Sequence, residues 1–232
     1  MRCSLFGKLG AKRDFIALAT PRRFLETWEP WVQACMSASR HQLGSRWQNA
    51  FLTAPIWRFW LGAGIAGTTV TGAIMPSLDG VGRYYPLTLL AVADPSYSFP
   101  PPDMNQQDQW FASAEEFLLS TLDQTRSFDD IAAALDALPA PLMEATITCS
   151  QEIQALGDTM VGIVTAGKTF QDSLLMLRQS NHGSSAAASF WWTEGGGNFA
   201  PMALCTRGMP DPFRYSNMLT GKLAGDEIES AS

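Results

Sequence analysis

The chain reads as an α/β protein with a mixed, hairpin-containing central sheet covered by helices, and three features predict this. Two runs rich in β-branched and aromatic residues, 69–75 and 84–92, flank a short polar interval holding Asp79, Gly80 and Gly82, which is the pattern of strand, tight turn and strand. Ile56 to Leu61 is apolar on both alternating faces apart from Arg58, as in strands with helices on each side. Phe24, Trp28, Trp31 and Cys35 recur at steps of four, three and four, marking one apolar helix face.

Taken in order, Leu5 to Phe15 is a short strand followed by a glycine-containing, charged loop. A helix is expected to start near Pro30, with Thr27 as its cap, because proline is tolerated in a first turn and breaks a helix interior. Leu43-Gly44 ends it, and a second short helix covers Arg46 to Leu52. After the strands of 56–92, Pro95 to Asp103 carries four prolines and separates this front from a helical block. Asp108 to Thr125 and Phe128 to Leu138 have helical spacing, and Ser127 with Asp130 resembles a capping box. Ala145 to Cys149 and Met160 to Val164 are short strands, Thr169 to Gln179 a helix, and Ala188 to Thr193 the last strand. One domain spans 1–223, and 224–232 is a flexible acidic tail.

Composition narrows the function. The 232 residues are 46% apolar and only 16% charged, so an apolar patch and a partner protein are expected. A net charge of −6 argues against nucleic acid. Four dispersed cysteines and two histidines do not make a zinc site or a disulfide scaffold. Phe15 to Ala19 is too short for a signal-peptide core, and the weakly polar run Phe59 to Met75 is too short and too glycine-rich to span a membrane, so the expectation is a soluble, intracellular protein.

Two phosphate-binding patterns occur. Gly62-Ala-Gly-Ile-Ala-Gly67 fits G-x-G-x-x-G, but the β-branched residues after it predict a glycine-rich hairpin without a helix to receive a pyrophosphate. Gly162-Ile-Val-Thr-Ala-Gly-Lys-Thr169 fits a P-loop, with Lys168 for phosphate and Thr169 for magnesium. Its preceding strand is short and it lacks a clear second metal aspartate, so nucleotide binding stands as an alternative. His41 on a helix and His182 in a Ser/Asn/Gly loop, near Ser184 and Ser185, give no fixed catalytic geometry. Asp129-Asp130 and Glu115-Glu116 read as solvated helix faces. The tryptophans are core by default and interface anchors in the sharper reading. The adjacent Trp191 and Trp192 face opposite sides of a strand, which leaves one of them exposed or beneath a helix.

Together, several motifs resemble one family. They are Phe6-Gly-Lys-Leu9 with Asp14-Phe15, Leu52-Thr-Ala-Pro-Ile-Trp-Arg-Phe59, Met75-Pro-Ser-Leu-Asp79 with Gly82-Arg-Tyr-Tyr-Pro-Leu-Thr88, and Trp191-Trp-Thr-Glu194. Gly208-Met-Pro210 and Phe213 to Gly221 extend the likeness sparsely. The chain is similar to TagF, also called ImpM, of bacterial type VI secretion. Where that family commonly has Pro-x-x-Gly-Asp-Phe in its first loop, this chain has Gly10-Ala-Lys-Arg-Asp-Phe15.

The resemblance implies a three-layer α/β/α sandwich and a cytoplasmic post-translational repressor rather than an enzyme. By the same resemblance it would oppose activation alongside a threonine kinase and phosphatase pathway and act on the forkhead-associated scaffold Fha. No cofactor, metal or membrane insertion is expected, and a homodimer or a plain structural subunit of the apparatus stays open. Lys8, Asp14, Arg58, Asp79 and Arg83 are the candidate partner-binding residues, because charges set among apolar strands need a partner in the fold or outside it. An internal ion pair of Asp79 with Arg83 or Arg58 would account for the same charges without a partner.

Overall fold

The computed structural model describes residues 2–145, 153–156, 159–162, 185–197 and 199–222. Its centre is a seven-stranded sheet in which β1 (Ser4–Gly7), β2 (Ile16–Leu18), β3 (Trp57–Leu61), β4 (Val70–Met75), β5 (Leu87–Val92), β10 (Ala188–Thr193) and β11 (Met202–Arg207) run in the order β11-β10-β3-β4-β5-β1-β2. Every pairing in this sheet is antiparallel, so the expected mixed sheet is corrected. Doubly buried strands imply covered faces and leave the direction of pairing open. The remaining described strands pair outside the large sheet: β6 (Tyr97–Ser98) with β7 (Glu144–Ala145), and β8 (Ile153–Leu156) with β9 (Thr159–Gly162).

Helical side chains cover both faces of the sheet, and strand periodicity assigns its side chains to two cores. On one face, α1 (Arg22–Leu43), α2 (Trp47–Thr53) and α6 (Tyr215–Thr220) join Phe59, Val70, Ile74, Leu90 and Trp191. On the other, α4 (Asp108–Ser120) and α5 (Phe128–Ala137) pack with Trp60, Ala73, Met75, Leu87, Leu89 and Ala91.

The first core is a ring cluster. Trp28 lies 5.8 Å from Trp191 in a stacked pair and 4.6 Å from Phe59, and Trp31 lies 4.9 Å from Trp191. The indole N–H groups of Trp28, Trp31 and Trp191 donate to Thr88 Oγ1, the Pro210 carbonyl and Ser189 Oγ, so these rings carry no unsatisfied donor into the core. Trp191 is fully buried on this face, while Trp192 turns to the other and meets Phe111 of α4 at 4.9 Å. The tryptophans are therefore core, and the adjacent pair lies as strand alternation requires.

Several local expectations change. α1 begins at Arg22 and contains Pro30, because Phe24, Trp28, Trp31, Val32, Cys35 and Met36 bury one continuous face while Pro30 is exposed. Packing outweighs the hydrogen bond that proline removes there, and the freed carbonyl lies on the solvent side. Gly62 to Gly67 connects β3 to β4 through a one-turn helix, α3 (Ala63–Ala66). The N–H groups of Gly62 and Gly64 are taken by the carbonyls of Ala188 and Ala186, leaving them no role as a phosphate cradle. β2, β6, β8 and β11 are strands beyond those expected, and β10 is not the last. β11 escapes notice because it is an edge strand with Ala203, Cys205 and Arg207 exposed. The Ser127–Asp130 capping box of α5 is present in both directions. Cys149, His182 and residues 163–169 of the P-loop pattern lie outside the described residues.

Candidate functional site

Antiparallel register brings the end of β1, the start of β2, the start of β3, the end of β4, the start of β5 and the end of β10 to one end of the sheet. The loops 8–15 and 76–86 therefore emerge side by side, although they lie far apart in sequence. Asp79 is the hub between them. Its Oδ1 accepts the backbone N–H groups of Val81 (3.1 Å) and Arg83 (2.9 Å), and its Oδ2 accepts Lys8 Nζ (2.8 Å) and Arg83 Nε (2.6 Å). Local sequence dictates half of this: an aspartate followed by Gly80 and Gly82 turns back so that its carboxylate meets the amides two and four residues on. Gly82, at φ +84°, supplies the left-handed residue that closes the turn.

Further contacts bind the loops. Ser77 Oγ donates to the Lys8 carbonyl (2.8 Å), Gly80 N–H to the Lys12 carbonyl (2.8 Å), and an Arg83 guanidinium N–H to the Arg13 carbonyl. A Cβ on Gly80 would stand 3.0 Å from the Gly10 carbonyl oxygen, so a side chain there would press the two loops apart by a few tenths of an ångström. Arg13 replaces the glycine common in the family's loop, and its φ is not positive, so the arginine fits without strain.

Electrostatics follow from this geometry. Burial raises the pKa of Asp79, but the hydrogen bonds from Lys8, from the Arg83 backbone and side chain, and from Val81 outweigh it. The carboxyl is held well below the ordinary carboxylate range. Lys8 is nearly as buried as its partner, with 7% of its side chain exposed against 0% for Asp79. Arg83 is different, because 57% of its side chain faces solvent.

The five sequence candidates separate into distinct groups. Lys8 and Asp79 are a buried pair, Arg83 caps that pair from outside, and Asp14 is exposed on the same loop end. Arg58 does not join them. It sits buried on β3 over the Phe111 ring and pairs with Glu115 of α4 (2.6 Å), Glu194 after β10 (2.9 Å) and, more distantly, Asp108 (3.9 Å). Glu115 is thus a ligand of a buried guanidinium and not a solvated face. Sequence separation hid the Lys8–Asp79 and Arg58–Glu115 pairs, because only the fold places such distant residues together.

Exposed apolar side chains gather at this end. Phe15 (52%) and Val81 (56%) stand on the two loops, and Leu52 (49%), Leu119 (54%) and Leu122 (57%) stand at the ends of α2 and α4. Phe15 packs edge-on against Tyr85 at 4.7 Å beneath it. Scattered single residues of this kind are ordinary on a surface, and these differ in being grouped around one constellation of charges. Among the described residues no cluster of metal-ligating side chains occurs, and no helix is long and apolar enough to cross a membrane.

An antiparallel sheet covered by helices on both faces, with two loops braced at one end, defines an α/β protein, and its family attaches it to type VI secretion. Residues 4–138, more than half of the chain, match the family described as the TagF N-terminal domain, type VI secretion system-associated. The chain belongs to this TagF family. It is also similar to the crystal structure of PA0076 from Pseudomonas aeruginosa PAO1, at 30% identity over 96% of each chain with a TM-score of 0.81. A search of curated proteins returns no match.

Proposed function

We propose that this chain is a cytoplasmic accessory protein that represses type VI secretion after translation. It does so by protein–protein binding, to the forkhead-associated scaffold Fha, and not by catalysis. The observation that supports the reading is the loop end itself, where Asp14, Phe15, Val81 and Arg83 face outward from two loops locked by a buried ion pair. Rigid loops reduce the ordering cost of binding, and an exposed arginine beside aromatic and aliphatic side chains is the composition that interfaces enrich. The acidic net charge of −6 also favours a protein over nucleic acid as the partner. In this reading the two cores make the molecule a three-layer α/β/α sandwich.

Affinity purification from cells carrying the secretion system, followed by identification of the bound proteins, tests the partner. Deletion of the gene is expected to release secretion. Loss of secretion on deletion would instead make the chain a structural subunit, and the repressor reading would fall.

A further inference from the structure

Beside the Asp79 loop, a cleft of about 830 Å³ opens across the end of the sheet, between the helix ends of its two faces. Among the described residues its lining includes the carboxylates Asp79, Glu115, Asp123 and Glu194 and no lysine or arginine. Asp79 is answered by Lys8 and Arg83, and Arg58 is shared between Glu115 and Glu194. Glu194 still shows 67% of its side chain to solvent, and Asp123 is exposed. Asp123 accepts the backbone N–H and the hydroxyl of Thr125, which lower its pKa and keep it anionic. Leu52, Leu119 and Leu122 also line the cleft, and each is about half exposed.

We propose that this cleft seats a basic segment of the partner protein, in which lysine or arginine side chains meet Asp123 and Glu194 while neighbouring apolar side chains cover the three leucines. The inference rests on the protein-binding reading above and names the chemistry of the partner. Charge complementarity selects the occupant. Nucleic acid and anionic lipid carry the wrong sign for an acidic lining, and a purely apolar ligand would take the exposed carboxylates of Asp123 and Glu194 out of water without bringing a charge to them. A basic segment with apolar neighbours satisfies both parts of the lining, and its attraction is electrostatic enough to depend on salt.

The test uses the full chain. A photoreactive amino acid at position 122, in cells carrying the secretion system, is expected to crosslink to a peptide containing several lysines or arginines beside apolar residues. A synthetic peptide of that sequence should bind the purified protein, with affinity falling as salt is raised from about 0.05 to about 0.3 M. The double variant Asp123→Asn with Glu194→Gln keeps acceptor oxygens for Thr125 and Arg58, so the fold is retained. It should weaken peptide binding about tenfold, whereas Glu26→Gln on α1 should leave it unchanged.

No crosslink from position 122, an acidic or uncharged crosslinked peptide, a crosslink to a second copy of this chain, or binding indifferent to salt would each overturn the proposal. The two readings fail separately. If the basic peptide binds as described but deletion does not release secretion, the repressor reading falls and the cleft assignment stands. If deletion releases secretion and the double variant binds like the parent, the cleft assignment falls alone.

Discussion

Asp79 carries more of the loop end than its exposed neighbour Arg83. Asp79→Ala would strand a buried Lys8 and the N–H groups of Val81 and Arg83, so a fall in Tm of more than about 5 °C is expected by calorimetry. Arg83→Ala removes one ligand of four from the Asp79 carboxylate and leaves the Lys8 pair and both backbone N–H bonds in place, so Tm should change by no more than a few degrees. Under the binding proposal the same variant loses capture of the partner. A large fall in Tm for Arg83→Ala would remove the case for recognition. The depressed pKa of Asp79 gives an acid dependence with a definite sign. Its stabilisation is complete above the ordinary aspartate value of about 3.9 and is lost as pH falls below that towards the folded value. Denaturant unfolding at stepped pH should therefore show a steeper acid loss for the parent than for Asp79→Asn.

Strand β10 offers an internal comparison, since its adjacent tryptophans serve different cores. Trp191→Ala empties the centre of the ring cluster and should cost about 3–5 kcal/mol by equilibrium denaturation. Trp192→Ala, only partly buried against Phe111, should cost clearly less. Equal losses would contradict the two-faced burial of the strand. Helix α5 depends on its cap, so Ser127→Ala should destabilise by about 0.5–2 kcal/mol. The burial of β10 and the cap of α5 are legible in residue order, because both are set by neighbours a few residues apart. The start of α1 is not, since there a proline rule gives way to a continuous buried face.

For the molecule as a whole, the strands of 56–92, the helices that flank them and the family were readable from residue order, since hydrophobic period, turn chemistry and motif spacing are local properties. The antiparallel order β11-β10-β3-β4-β5-β1-β2 was not, because strands buried on both faces look alike in either direction. The candidate charges were legible as residue types, and their partners were not. Asp79 with Arg83 lies within one turn, and the sequence alone proposed that pair. Lys8 with Asp79, Arg58 with Glu115 and Glu194, and the gathering of Leu52, Leu119 and Leu122 beside them join segments far apart in the chain. Which charge is spent inside the fold and which faces a partner depends on burial and distance, and only the packing of the sheet against its helices decides those.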